Sequence, residues 1–315
     1  MRQFALAVSL HGCPPGPHPT TCQEDPMVTT LPAAVTAAQT DPVRAEVLDQ
    51  VARLADLEEP AVEQMRAEAL GAPTRGVVAY GEYQSGGWWT TSLMNHSGDP
   101  HDVVIGDGRP RPTSLLKAMP ATARFLDGLG LDFMYVRLAR LEPHSYLWEH
   151  RDYAELRDTG RHRLHIPLVT NPSAVLVTAG ARVHMAAGAL WRLTPSQAHG
   201  VCNSTGPDRL HLIADVYADD AYGALAARPH LRDGDAADLP EMTSADRAGL
   251  LERAGQLAEL GFTDAAEQTL LRAFYTYALP EGGAYDLIAE LHAGRGADAD
   301  ASRWRAAKAH LLARP

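Results

Sequence analysis

In the run Arg161-His162-Arg163-Leu164-His165-Ile166-Pro167-Leu168, basic and apolar side chains alternate. In a β-strand successive side chains point to opposite sides, so Arg161, Arg163 and His165 share one face and Leu164, Ile166 and Leu168 the other. The stretch Arg209-Leu210-His211-Leu212-Ile213-Ala214 repeats the design, with Arg209, His211 and Ile213 opposite Leu210, Leu212 and Ala214. Further strand-like runs over 132–141, 174–178 and 188–193 are separated by Pro, Gly and Asn turns. Many short two-faced strands in succession predict a mainly β antiparallel sandwich or jelly roll.

Helices are expected on both flanks of this core. Asp41-Pro42 makes a helix start, and Val43, Val47, Val51 and Leu54 follow at helical spacing. A second helix is expected from Glu59-Pro60 to Leu70, and a third around Leu115 to Leu129. Residues 1–40 carry Pro14, Pro15, Pro17, Pro19, Pro26 and Pro32 without apolar periodicity and read as a flexible extension. Residues 41–220 form the expected jelly-roll domain with its helical N-terminal support. The span 240–315, with Leu250, Leu251, Leu257, Leu260, Leu270, Leu271 and Phe274 at helical spacing, is expected to be a small helical C-terminal appendage, open to four roles: covering the barrel mouth, binding a peptide, making a homodimer, or simple structural packing.

The formal charge of −11, with no Lys- or Arg-rich tract, argues against a nucleic-acid partner. No apolar run approaches the roughly 20 residues that span a bilayer, so no membrane span is expected. Three cysteines without paired spacing suit a reducing cytoplasm. Arg2 followed by the apolar run Phe4–Leu10 faintly resembles a lipoprotein signal, but its single charge and short length argue against export, and Met27 is an alternative start.

The chemistry centres on Glu149-His150-Arg151-Asp152. In extended chain His150 and Asp152, two residues apart, project to the same side, so two ligands can converge on one ion. A third is needed, and His199 in Gln197-Ala198-His199-Gly200 is the best candidate. Two imidazoles and a carboxylate on one face of an ion leave three positions open, the arrangement of ferrous oxygenases. Taken alone, the His-x-Asp pair is a weak signal that a surface turn also explains, and a basic face on an isolated strand fits a solvated surface better than a site. Their company raises the odds, because two basic faces flank the ligand candidates in sequence and arginine matches a carboxylate with a planar fork.

Together these residues resemble the aspartyl/asparaginyl β-hydroxylase family of iron(II)- and 2-oxoglutarate-dependent oxygenases, which includes bacterial free-proline cis-hydroxylases. The resemblance runs from about Tyr80 to Tyr217 and rests on His150-x-Asp152, Arg161-x-Arg163-x-His165, and His199 followed ten residues later by Arg209. It implies a double-stranded β-helix fold, with Fe(II), 2-oxoglutarate and dioxygen as cofactors. It also implies that His150, Asp152 and His199 hold the metal and Arg209 the distal carboxylate of 2-oxoglutarate. Arg163 and His165 would then approach the carboxylate at the metal end. The gap from His150 to the Arg161 strand is a few residues longer than in the animal peptide hydroxylases, and Asp152 supplies a carboxylate that some of those lack. Asp152 also argues against the halogenating relatives, which seat halide in place of that carboxylate.

The implied substrate is an amino-acid side chain of Asp/Asn or Pro type, free or within a small peptide such as a natural-product precursor. Arg161, Trp88, Asn95 and Arg157 are candidate substrate contacts; Arg137, Arg140 and Arg151 also lie close in sequence to the ligands. Trp88 and Trp89 equally fit core anchors. Two other readings remain open at this point. A cupin-type dioxygenase or isomerase would present His-x-His, which none of the 14 histidines forms. A non-catalytic binding or regulatory module would have lost a ligand, and all three are present.

Overall fold

The alternating runs do form strands, and the strands lie antiparallel in two sheets. The computed structural model describes residues 42–74, 76–79, 81–152 and 160–314; the expected N-terminal extension and Arg157 lie outside the described residues. The chain begins α1 (Pro42–Gln50), β1 (Val51–Asp56), α2 (Glu59–Leu70), β2 (Trp88–Asn95), β3 (Arg111–Pro112), α3 (Ser114–Lys117) and α4 (Pro120–Leu129). It continues through β4 (Phe133–Leu141), β5 (Ser145–His150), β6 (Arg161–Val169), β7 (Ala174–Thr178), β8 (Ala181–Val183), β9 (Ala189–Leu193), β10 (His199–Asn203) and β11 (Arg209–Tyr217). The last part comprises α5 (Asp220–Leu225), β12 (Ala236–Asp238), α6 (Ser244–Glu259), α7 (Thr263–Leu271), α8 (Gly283–Gly294) and α9 (Asp298–Leu311).

One sheet has the order β1-β9-β6-β11-β4-β2-β3 and the other β12-β8-β7-β10-β5. Strands β4 to β11 therefore pass back and forth between the sheets, which brings residues distant in sequence to one interior. On the larger sheet Leu164, Ile166, Leu168, Leu210, Leu212 and Ala214 pack with Val62 and Met65 of α2 and Leu126 of α4. The opposite face looks toward the smaller sheet, and there Arg163, His165, Arg209 and His211 are all buried. Neither polar face is solvated.

Two helix expectations are corrected. Val51 and Leu54 lie on β1, not on a continued helix, because the segment pairs with β9, Val51 opposite Leu193 and Ala52 opposite Arg192. A three-residue spacing also puts side chains on opposite faces of a strand, and Val51 and Leu54 join separate apolar clusters. The helix expected over Leu115 to Leu129 is broken in two. Pro120 lacks an amide hydrogen and its ring blocks the preceding turn, so it opens α4 instead of continuing α3.

The C-terminal helices are not peripheral to the core. Leu250, Ala254, Leu270, Tyr285 and Ile288 belong to the same apolar cluster as Leu147, Trp148, Trp191 and Val201 of the sheets. A capping box between Thr243 and Asp246 starts α6. No helix among the described residues is long and apolar enough to cross a membrane.

His162, on the outer face of β6, stacks on Tyr222 with ring centroids 4.4 Å apart, and burial followed by the nearby Arg192 charge pushes its pKa down to about 4. The folded protein therefore keeps this ring neutral, while the unfolded chain takes up a proton below about pH 6.5. Its contribution to stability is complete above that pH and lost as pH falls toward 4. At pH 5 the loss should be on the order of 1 kcal/mol once solvent screening of a partly exposed ring is allowed for. Urea unfolding at pH 7.5 and pH 5 should show that His162→Phe, which keeps the stacking, loses less stability on acidification than the parent; equal losses would refute the assignment.

Candidate metal centre

β5 and β10 run side by side in the smaller sheet, with His199 directly opposite His150. Asp152 follows β5, its amide donating to the Pro195 carbonyl at 2.9 Å. One ligand atom from each of His150, Asp152 and His199 lies within 4.8 Å of the others. The Asp152 carboxylate lies beside both rings, 3.5 Å from His150 Nε2 and 3.8 Å from His199 Nε2. His150 Nδ1 is 2.7 Å from the Trp148 carbonyl oxygen, and His199 Nδ1 is 2.8 Å from that of Gln197. A carbonyl only accepts, so each proton sits on Nδ1 and each Nε2 lone pair faces Asp152.

The charges keep this cluster in the form that a metal ion would require. Burial works to raise the Asp152 carboxyl, but the Arg163 charge works against it and holds Asp152 well below the usual carboxylate range. Burial, then the neighbouring His150, pushes His199 down to about 3. An ionised carboxylate beside an imidazole free of an extra proton is what a divalent cation requires.

Arg163 connects the cluster to the sheet. Its Nη1 donates to Asp152 Oδ2, while its Nε donates to Asp215 Oδ1 at 2.8 Å. Arg163 and Asp215 are cross-strand partners on β6 and β11, so sheet register builds this ion pair. The guanidinium expected to approach a cosubstrate carboxylate is thus already bound to two protein carboxylates.

A second polar group lies deeper. Arg209 Nη2 donates to His211 Nδ1 at 3.0 Å, and His165 Nδ1 lies 3.3 Å from the same atom. Burial, then the Arg209 charge, pushes His165 and His211 well below the usual imidazole range, so both rings are neutral at physiological pH. Because His211 Nδ1 accepts, its proton sits on Nε2. Among the described residues Arg209 Nη1, His165 Nε2 and His211 Nε2 have no hydrogen-bond partner. Burial moves Arg209 down to about 9, which still leaves it charged at neutral pH. A buried guanidinium with an unused donor and no carboxylate partner among the described residues fits an anionic ligand.

His150, Asp152, His199, Arg163, His165 and Arg209 line one cavity of about 30 Å³, walled also by Tyr83, Trp88, Arg137 and Leu193. Tyr83 stacks on His150 with ring centroids 4.1 Å apart. Of the candidate substrate contacts, Trp88 lines this cavity, while Arg161 and Asn95 do not. Arg161 shares a face with Arg163 but stands at the end of β6, where it donates to Met134 Sδ. Asn95 ends β2, and its amide donates to the carbonyls of Asp99 and Asp102 at 2.7 Å, closing a turn. Sequence reasoning passed over Tyr83, Asp215 and the role of His211, and it named Arg137 only as one of several arginines near the ligand candidates. The available signal for Arg137 was alternation with Tyr135 and Ala139 on β4, the face turned to the interior.

Buried strands, an inward His/Asp/His cluster and an adjacent anion-ready arginine define a metal-dependent oxygenase site in outline. A family profile described as Aspartyl/Asparaginyl beta-hydroxylase matches residues 44–219, more than half of the 315. The chain belongs to the aspartyl/asparaginyl β-hydroxylase family. It is 26% identical over 233 residues to L-proline cis-3-hydroxylase 1 of a Streptomyces species, covering 70% of this chain and 79% of that protein. Among solved structures it is similar to HygX from Streptomyces hygroscopicus with nickel and 2-oxoglutarate bound, at a TM-score of 0.37 and 14% identity, over 56% of this chain and 87% of that one. A prolyl-4-hydroxylase of Pseudomonas putida matches at a TM-score of 0.34 and 16% identity, over 56% of this chain and 99% of the other.

Replacing Arg163 by Met would leave two buried carboxylates without their shared counter-charge, at a cost of about 3–5 kcal/mol. Chemical denaturation should show that loss, with Arg163→Lys recovering part of it; an unchanged midpoint in Arg163→Met would refute the central place given to this ion pair.

Proposed function

We propose that this protein is an Fe(II)- and 2-oxoglutarate-dependent hydroxylase of an amino-acid side chain. The observation that carries the reading is the convergence of His150, Asp152 and His199 in a buried cavity beside Arg209, whose Nη1 lacks a partner among the described residues. The donor set fits the metal: two Nε2 lone pairs and one ionised carboxylate are the donor types that ferrous oxygenases offer to iron. His150, Asp152 and His199 would hold iron, and Arg209 would take the distal carboxylate of 2-oxoglutarate. Bound together, iron, 2-oxoglutarate and dioxygen supply the oxidation that turns a C–H bond into C–OH, releasing succinate and carbon dioxide.

The chain's own residues supply orientation, charge and exclusion of water. Arg163 keeps Asp152 ionised and fixes its direction. His165 and His211, neutral beside Arg209, supply an acceptor and a donor without adding charge. The cavity of about 30 Å³ has room for little more than a water molecule. Admitting a dicarboxylate therefore requires some of the cavity wall to shift. Tyr83 stands on a short 3-10 turn, Gly81–Tyr83, and the next residues, Gln84 and Ser85, pair with Leu147 and Tyr146 of β5.

The order of β4 to β11 in the two sheets supports a double-stranded β-helix, with 41–220 as the oxygenase unit and 240–315 as its structural backing. Likeness to L-proline cis-3-hydroxylase 1 favours a free imino or amino acid as substrate, with short Pro-, Asp- or Asn-containing peptides next in order. A homodimer through the C-terminal helices would find Leu260 and Phe262 exposed, while Leu250, Leu270, Ile288 and Leu291 turn inward.

Anaerobic titration with iron(II) and 2-oxoglutarate should develop the visible charge-transfer band of the metal-bound 2-oxo acid, and His199→Ala should abolish it. Arg209→Gln should keep iron binding but raise the 2-oxoglutarate requirement by about 100-fold, the loss of a charge-assisted pair. With ascorbate and air, L-proline should gain one oxygen by mass. No band in the parent protein would overturn the reading; succinate without oxidised proline would redirect the substrate search to peptides.

A further inference from the structure

The ladder between β5 and β10 is out of step where it matters most. Val201 pairs with Leu147 and His199 with His150, so Gly200 alone faces both Trp148 and Glu149. One extra residue in one strand is a β-bulge, and it changes which side the following residues face. In a regular strand Leu147 and His150, three apart, would point to opposite sides. Here Leu147, His150, His199 and Val201 all line the same cavity. The bulge is what turns His150 inward.

A bulge leaves backbone groups outside the ladder, and the C-terminal region satisfies them. Tyr285 Oη donates to the Glu149 carbonyl at 2.6 Å. The Gly282 amide, at the N-terminus of α8, donates to Glu149 Oε2 at 2.9 Å. Glu149 and Tyr285 are 4% and 1% exposed, so neither contact has water to replace it. On the far side of His150 the Arg151 amide donates to the Leu311 carbonyl at 2.8 Å. Gly200 must lack a side chain, since a Cβ there would lie 2.8 Å from Phe274 and from Tyr275 Oη.

We propose that Tyr285 and Glu149 are positioning residues for the metal: the C-terminal helices hold the Trp148–Glu149 bulge, and the bulge sets His150 against His199. The inference rests on the metal role proposed for His150. It gives the C-terminal region a function in the site rather than a lid or a docking surface. Partners that orient a ligand typically change metal affinity 10–100-fold when removed.

The test uses the full chain, stripped of metal, titrated with iron(II) under argon against a chromophoric chelator. Tyr285→Phe keeps the ring and deletes the hydroxyl; Glu149→Ala deletes the carboxylate, and Glu149→Gln retains an acceptor for the Gly282 amide. Both Tyr285→Phe and Glu149→Ala should weaken iron binding 10–100-fold, with Glu149→Gln within about threefold of the parent. Glu267→Gln is the control. Glu267 is buried in the same helical region, accepting from His292, Arg303 and Trp304 at 2.8–2.9 Å. It should lower the melting temperature and leave iron affinity unchanged. Parent-like affinity in Tyr285→Phe and Glu149→Ala, or an equal loss in Glu267→Gln, would overturn the inference. Failure of the parent protein to bind iron would instead overturn the reading of the site itself.

Discussion

The interior depends on the register of β6 against β11. Arg163 meets Asp215 because they are direct cross-strand partners, and the same guanidinium reaches Asp152. A slip of one residue would turn every side chain of β6 over, sending Arg163 and His165 toward the helices and Leu164 and Ile166 into the cavity. Asp152 would then be a buried charge with no counter-charge from Arg163. Sheet register, ion pair and ligand orientation are one constraint stated at three scales.

Such an interior is costly to desolvate and must be held by apolar surroundings. On one side of the larger sheet, Leu164, Ile166, Leu210 and Leu212 pack on α2 and α4. On the other, Trp191, Leu147 and Val201 continue outward into Leu250, Leu270 and Ile288 of the C-terminal helices. The polar cavity is thus enclosed between two apolar clusters. Solvent is kept from the Arg163 pair, where a lower effective dielectric strengthens the attraction that orients Asp152.

What could be read from the sequence follows from which strands have unlike faces. β6 and β11 alternate cleanly and were legible to their ends, as was α2 with Pro60 in its first turn. β5 and β10 were not expected as strands, although they carry His150 and His199. Almost every residue in Ser145–His150 and His199–Asn203 is buried, so there is no alternation to detect. β1 was disguised by Val47, Val51 and Leu54, whose spacing fits a helix as well as two faces of a sheet. The three ligand candidates were legible because His-x-Asp and a later His stood near two basic strand faces. Whether those faces were wet or buried could not be read, since that depends on the opposing sheet. Sharing a face with Arg163 did not fix the depth of Arg161, two residues and roughly 6–7 Å along the strand.

The bulge explains why the His-x-Asp pair was a fair guess with an incomplete reason. Alternation puts His150 and Asp152 on one side of the chain, but it does not say which side. Counting inward from Leu147 on a regular strand would turn both away from the cavity. The extra residue opposite Gly200 corrects the phase, and the groups that stabilise it, Tyr285 and Gly282, lie about 130 residues further along the chain. A local motif could therefore nominate the ligand candidates, while the direction His150 faces depends on a bulge that the region marked by sequence texture as an appendage stabilises.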